Sequence, residues 1–348
     1  MDKKPTIKEI AKLANVSIAT VDRVLHNREG VALETARLIK KIIEDRNYVP
    51  NTFARNLVLN KGFKIAVLLP KCGHDDYWSC SFKAAKMAIK DFKCLGVVTT
   101  VYHYNQREKA SFYEVGDQIL KDGNDAVLLA QVILEGANTF LEDCKKKKIP
   151  FILIGCNQLD LGAITYFRQN SYQGGRLAAE LLSLGQKEAS KFLVLNIATA
   201  QNQYFRVEER IAGFESYFKR NNGPYFEIEV FPVSWKDKKI VEKISDKLNP
   251  DNRISGIFIP NSESFVLEKA LSPTNHIRIV GYDLLQRNQA LLKTGEINFL
   301  IDQRPYEQIY QGIKYLYKYL GFRRDPPKVA NLPLNIVTRE KLIYCWGV

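Results

Sequence analysis

From Phe63 onward, runs of four to seven apolar residues alternate with amphipathic stretches, and no other feature constrains the fold of this chain as tightly. Ile65-Ala-Val-Leu-Leu69, Ala126-Val-Leu-Leu-Ala130 and Phe151-Ile-Leu-Ile154 carry no alternating polar positions. That pattern belongs to strands covered on both faces by helices, which means parallel strands. A first series reads as strands over 63–69, 97–104, 126–130 and 151–154, with helices over 79–92, 108–121 and 134–147 between and after them. A second begins near Asn170, with helix 172–184, strand 192–197, helix 207–221, strand 227–233, helix 238–248 and strand 256–259. It continues through helix 262–271, strand 277–280, helix 286–294 and strand 297–301. A long helix over 305–320 then crosses back to the first series, and strands over 334–337 and 342–345 return to the second. Two doubly wound α/β lobes with parallel sheets are the expected result.

The first sixty residues follow a different period. Thr6 with Glu9 three residues on forms a capping-box pattern, and Ile7, Ile10, Ala11 and Ala14 then fall on one stripe of a short helix. Asn15 tolerates the left-handed backbone of a sharp turn, and Ser17 stands where the N-cap of a second helix belongs. In that second helix Val21, Val24, Thr20 and Leu25 share the packing side. Ile18, Ala19, Asp22 and Arg23 share a free face. A third amphipathic helix covers about 33–46. Residues 1–62 hold twelve Lys and Arg against seven Asp and Glu, a net of +5 out of +13 for all 348 residues, so positive charge is several-fold denser here than in the body. Such a head suits a polyanion, and a helix presented in this way can enter a DNA major groove.

Other classes find little support. No run of about 18 apolar residues appears and residues 1–20 lack an apolar signal core, so a cytoplasmic protein with no membrane span is expected. The six cysteines, at 72, 80, 94, 144, 156 and 345, show neither Cys-x-x-Cys nor finger spacing and read as reduced thiols. The four histidines are scattered, no phosphate-cradling glycine motif follows a strand, and lone carboxylates such as Asp160 and Asp302 make no acid/base pair. No metal, no cofactor and no enzymatic chemistry are expected.

The pattern Thr-Ile-x-x-Ile-Ala-x-x-Ala-x-Val-Ser-x-x-Thr-Val-x-Arg-Val over 6–24, followed by Asn-Tyr-x-Pro-Asn-x-x-Ala-Arg-x-Leu over 47–57, resembles the lactose-repressor (LacI/GalR) family of bacterial transcription regulators. The resemblance implies an all-α helix-turn-helix head over 1–49, a hinge helix within 50–62, and a sensor over 63–348 like the type I periplasmic sugar-binding proteins. Its first lobe would take about 63–169 and 302–331, its second about 170–301 and 332–348. It further implies operator DNA and a small effector as partners, and a homodimer, since no leucine heptad follows the last strand.

For DNA, the resemblance assigns Ile18, Ala19 and Arg23 to base edges. Arg23 suits a guanine, while Ile18 and Ala19 suit thymine methyl groups. Asp22 departs from the family's usual serine and is expected to tune specificity. Thr6, Ser17, Thr20 and Asn27 are candidate phosphate contacts. Asn51, Ala54 and Leu57 belong to the expected hinge helix, where Leu57 would wedge into the minor groove. For the effector, strand ends place Tyr77 and Trp78, Asn170, Arg206 and Arg210, Asn261, Asp283 and Gln303 at the cleft. Forked donors, carboxylates and amides with aromatic rings favour a sugar or sugar alcohol. A purine or nucleoside is the alternative effector. The alternative classes are a sugar-binding protein and a doubly wound sugar-metabolising enzyme, each with an appended basic head.

Overall fold

The computed structural model describes residues 6–25, 29–46, 62–73, 75–106, 108–130, 134–156, 159–186, 190–198, 204–220, 226–271 and 277–346. The chain divides into two compact units, Met1–Gly62 and Phe63–Val348. Among the described residues no helix is long and apolar enough to cross a membrane.

The first unit contains α1 (Ile7–Leu13), α2 (Ile18–Leu25) and α3 (Leu33–Asp45). The expected caps are present. Glu9 N donates to Thr6 Oγ1 at 3.3 Å while Thr6 N donates to Glu9 Oε2 at 2.6 Å, which satisfies helix-end amides from both directions. Asn15 takes the turn at φ 52°, and Ser17 Oγ accepts from Thr20 N at 3.1 Å to start α2. Ile10, Ala11, Ala14, Val21, Val24 and Ile39 form the small core.

In the second unit the first sheet takes β1 (Phe63–Pro70), β2 (Val97–Tyr104), β3 (Ala126–Ala130), β4 (Phe151–Ile154) and β5 (Thr165–Arg168). Helices α4 (Tyr77–Lys93), α5 (Lys109–Lys121) and α6 (Leu134–Lys146) connect them. The second series runs α7 (Ser171–Ser183), β6 (Ser190–Ala198), α8 (Tyr204–Arg220), β7 (Phe226–Ser234), α9 (Ile240–Lys247) and β8 (Ile254–Phe258). A 3-10 helix (Glu263–Lys269), β9 (Arg278–Tyr282), α10 (Gln286–Thr294) and β10 (Phe299–Asp302) complete it. The chain then adds α11 (Pro305–Phe322), β11 (Val329–Asn331), β12 (Asn335–Val337) and α12 (Arg339–Trp346). The sheet orders are β11-β5-β4-β3-β1-β2 and β12-β10-β9-β8-β6-β7. All pairings are parallel except β10 with β12.

Helix α11 does cross back. Its Ile309, Ile313, Leu316 and Tyr317 are buried with Ile65, Val67 and Leu128 in the core of the first lobe. Three expectations need correction. Residues 342–345 form no strand: Thr338 Oγ1 accepts from Lys341 N at 3.2 Å and starts α12, so a cap overrides the strand preference of Leu342-Ile-Tyr. Residues 329–331, too short to stand out as an apolar run, add β11 to the edge of the first sheet. The segment expected as a helix over 262–271 is helical but wound as 3-10, and the hydroxyl of Ser262 donates to Asp283 instead of capping it.

Helices α7 and α8 touch backbone to backbone. A Cβ on Gly175 would overlap the Arg210 carbonyl, and one on Gly213 would overlap the Tyr172 carbonyl. These glycines therefore set how closely α8, which carries Arg206 and Arg210, lies on the second lobe.

Candidate functional site: an effector cavity and a DNA-reading helix

The carboxyl ends of the second-lobe strands converge on a buried polar cluster. Arg210 is 2% exposed and donates through Nη1 to the Pro260 carbonyl and through Nη2 to Gln303 Oε1, both at 2.6 Å. Gln303 Nε2 in turn donates to both carboxylate oxygens of Asp283, at 3.0 and 2.8 Å, and Ser262 Oγ donates to Asp283 Oδ2 at 2.6 Å. Asp283 holds a left-handed backbone, φ 65°, directly after β9, an unusual conformation for a non-glycine residue. Asn288 fixes that turn by donating to the carbonyls of Ser262, Tyr282 and Asp283. Burial pushes the Asp283 carboxyl above its ordinary value, opposed by Arg210 and by the Ser262 and Gln303 hydrogen bonds. The Arg210 guanidinium lies 3.8 Å from the centre of the Tyr282 ring, a stacked cation–π contact. Desolvation raises the Tyr282 phenol to about 12.

Beside this cluster opens a cavity of about 210 Å³. Its polar lining comes from Asp75, Asp76, Asn196, Asn261, Ser262 and Glu263, and its aromatic walls from Tyr77, Trp235 and Phe265. Asn261 Nδ2 donates to the Ile197 carbonyl at 2.7 Å, so its amide is positioned by β6. Trp235 follows β7 and meets Phe265 edge to face, ring centres 5.4 Å apart. Asp75 reaches across from the first lobe. Its carboxylate accepts from Gln286 N at 2.7 Å and Arg287 N at 3.3 Å, capping the start of α10 in the second lobe. A second link runs the other way, from Arg206 Nη2 to the Gly155 carbonyl at 2.9 Å. Gly155 has φ 71°, and a Cβ there would collide with that guanidinium.

Of the expected effector residues, Tyr77 and Asn261 line the cavity. Arg210, Asp283 and Gln303 are joined in the cluster behind it, and Arg206 makes the link between lobes. Trp78 goes elsewhere: at 1% exposure it belongs to the first-lobe core, because it opens α4 on the inward side. Asn170 is exposed and caps α7, its Oδ1 accepting from Gln173 N at 2.9 Å. Sequence reasoning missed Asp75, Asp76, Asn196, Glu263, Trp235 and Phe265. Two signals were present: Asn196 interrupts an otherwise apolar strand, and Trp235 directly follows another. Asp76 also caps α4, accepting from Trp78 N at 3.2 Å. Among the described residues no group of His, Cys, Asp and Glu could hold a metal ion.

In the head, Ile18 (44% exposed), Ala19 and Arg23 lie on the open face of α2, with Asp22 half-buried beside them. The Ser17 and Thr20 hydroxyls are 2.8 Å apart and, like the Thr6 hydroxyl, are engaged at helix starts. Asn27, Asn51, Ala54 and Leu57 lie outside the described residues.

A capped helix pair with one helix face open, followed by a two-lobed body with a cavity at its strand ends, defines a ligand-sensing DNA-binding regulator. Residues 6–51 match the model for bacterial regulatory proteins of the lacI family, and residues 65–324 match that for the periplasmic binding protein domain. The chain belongs to the lacI family and is a DNA-binding transcriptional repressor with a sugar-binding-like sensor body. It is 26% identical to the NTD biosynthesis operon regulator NtdR of Bacillus subtilis, over 97% of this chain and 99% of that one. It is 24% identical to the transcriptional repressor PurR of Actinobacillus pleuropneumoniae serotype 5b, over 80% and 81% of the two chains. Among solved structures, a putative LacI regulator from Bacteroides fragilis superposes with a TM-score of 0.73 at 24% identity, covering 82% of this chain and 99% of that one. These relatives are regulators and not enzymes.

Proposed function

We propose that operator binding by this repressor is controlled by a polyhydroxylated small molecule, a sugar or sugar alcohol, held in the cavity at Tyr77, Asn196, Trp235 and Asn261. The protein acts as a homodimer in the cytoplasm. The observation that carries this reading is the lining itself: amide and carboxylate groups that pair with hydroxyls stand opposite aromatic rings that cover the apolar face of a sugar. The Arg210, Gln303 and Asp283 cluster braces the strand ends from which those groups project.

In the head, Arg23 pairs with a guanine, worth about 1–3 kcal/mol of discrimination, while Ile18 and Ala19 meet thymine methyl groups and Asp22 tunes the choice. The segment 50–62 transmits the signal as a hinge, with Leu57 as the minor-groove wedge. Coupling requires that the effector bind the DNA-competent and incompetent states with different affinities.

The test is a thermal-shift screen of the full chain against sugars, polyols, sugar phosphates and nucleobases, followed by operator titration with each binder. A sugar or polyol that binds and changes operator affinity in the wild type, but not in Asp283→Ala or Gln303→Ala, supports the reading. Stabilisation by nucleobases alone overturns it. Leu57→Ala is expected to weaken operator binding far more than non-specific binding at fixed salt; equal losses remove the hinge role.

A further inference from the structure

The end of the first lobe at which its strands begin carries a surplus of positive charge. Backbone contacts define that end: Phe63 N donates to the Gly96 carbonyl after α4, and Asp125 N, after α5, donates to the Lys64 carbonyl. Val127 N donates to the Pro150 carbonyl after α6, and Tyr166 N to the Lys328 carbonyl after α11. Over the last six residues of these four helices and the loops to the next strand, eleven Lys and Arg stand against seven Asp and Glu. The same stretches of the second lobe, after α7, α8, α9, the 3-10 helix and α10, hold eight of each. A helix C-terminus favours lysine through its dipole in either lobe, so the dipole alone does not produce the difference.

Eight of the eleven cations sit in two segments, after α6 and after α11, and those segments meet. They lead into β4 and β11, the two neighbours of β5, so their ends lie about 10 Å apart. Lys328 Nζ donates to the Ala163 carbonyl at 2.8 Å, and a Cβ on the preceding Gly162 would press on the Lys145 stem. Both loops are fixed. Lys148 at φ 55° closes α6 and Arg323 at φ 51° closes α11, while Thr165 Oγ1 donates to the Pro327 carbonyl at 3.1 Å. Lys145 and Lys146 pair with Glu142 and Asp143 one turn back, at 2.6 and 3.1 Å. Among the described residues no carboxylate stands within ion-pair distance of Lys147, Lys148, Arg323 or Arg324, all of them exposed. At the second lobe's matching end Lys219 is paired with Glu215 and Lys247 with Glu229. No large apolar side chain is exposed in either basic segment, unlike the centre of a protein–protein interface.

We propose that this surface binds the phosphate backbone of double-stranded DNA, so that the sensor body adds a sequence-independent contact to the duplex read by the head. Two facts select DNA. The chain arriving from the DNA-reading head enters the body at this end, because β1 starts at Phe63. A duplex also carries about one negative charge per 1.7 Å of its axis, an extended anion that exposed point charges on fixed loops match without base edges or apolar anchors. Each phosphate neutralised releases counterions, which gives the contact a measurable signature in salt.

The experiment titrates the full chain with a fluorescent duplex of about 60 base pairs and arbitrary sequence, at salt from about 50 to about 200 mM. The combined variant Lys147→Gln, Lys148→Gln, Arg323→Gln and Arg324→Gln is expected to flatten the slope of log affinity against log salt by about 2 or more. Its binding at the lowest salt should weaken about ten-fold or more. A charge-matched variant of the second lobe, Lys219→Gln, Lys238→Gln, Arg253→Gln and Lys269→Gln, should leave the slope within about 0.5 of wild type. Lys147→Arg, Lys148→Arg, Arg323→Lys and Arg324→Lys together should keep the wild-type slope, since phosphate here meets charge. Thermal unfolding identifies any folding defect, and in that event the two pairs substituted separately, Lys147 with Lys148 and Arg323 with Arg324, should each show about half the effect. An unchanged slope in the first-lobe glutamine variants, or an equal flattening in the second-lobe variant, overturns the proposal. So does a first-lobe variant that keeps the duplex slope but no longer binds polyglutamate, which assigns the surface to an acidic protein instead.

Discussion

The two lobes share a sheet order and differ in what their strand ends carry. In both, a central strand (β1 or β6) is flanked by the next two strands of its series, and a late strand from the end of the chain closes one edge. The second lobe supplies Asn196, Trp235, Asn261, Glu263 and Phe265 to the cavity, with the Arg210, Gln303 and Asp283 cluster behind them. Among the described residues the first supplies Asp75, Asp76 and Tyr77, all from the start of α4. On the proposed reading of the cavity, one lobe reads the ligand and the other covers it. Equivalent topology thus leaves the chemistry free to collect on one side.

The sharpest way to break this contrast is Arg210→Ala. Removing the guanidinium leaves Asp283 buried beside neutral partners, which is expected to cost the body about 3–5 kcal/mol in denaturant unfolding. A loss no larger than that of a first-lobe substitution would abolish the asymmetry.

Next comes pH. Glu263 is raised to about 7 and Asp302 to about 6, in both cases mainly by desolvation. Each binds its proton more tightly folded than unfolded. Its stabilising contribution is therefore complete below the unfolded value and is lost as pH rises through the folded one. The unliganded body should lose stability between about pH 4 and pH 7 from these groups. Unfolding of Glu263→Gln across that range isolates one of them: the variant should be the more stable protein at pH 8, by about 3 kcal/mol at most, and should converge with wild type near pH 4. A gap that widens toward acid would remove Glu263 from the desolvated wall.

Asp75→Ala tests the covering role. Loss of the cap on α10 should cost about 1 kcal/mol, and effector affinities should fall by a similar factor for every ligand bound. Asn261→Ala should instead reorder them, since it changes a reading group. If Asp75→Ala reorders ligands as well, the division of labour between lobes fails. The smallest effect belongs to the head, where Thr6→Ala should cost about 0.5–1 kcal/mol of helix stability and leave the effector titration of the body unchanged.

Much of this organisation was legible in the sequence because the body is built from continuously apolar parallel strands. Ala126–Ala130 and Phe151–Ile154 coincide with β3 and β4 as read. The head was legible through local chemistry, since capping by Thr6 and Ser17 depends on residues only three apart. What escaped depends on distant partners. Asn170 and Trp78 have side chains suited to a ligand, but a helix amide takes one and the first-lobe core takes the other. Asp75 was passed over beside them because its role appears only once α10, more than two hundred residues later, is brought against it. Residues 342–345 misled for a related reason: their side chains favour a strand, yet the preceding Thr338 commits the segment to a helix before those preferences act.

The glycine contact between α7 and α8 bears on how this family member can change over time. Where Gly175 and Gly213 bring two backbones together, no side chain remains between them to be enlarged or trimmed. The height of Arg210 above the strand ends is consequently immune to gradual adjustment by core substitution, and any larger residue there would dislodge the whole brace. Variation in ligand preference is steered toward the tips that carry Trp235, Asn196 and Glu263, where a replacement alters the pocket without moving its floor.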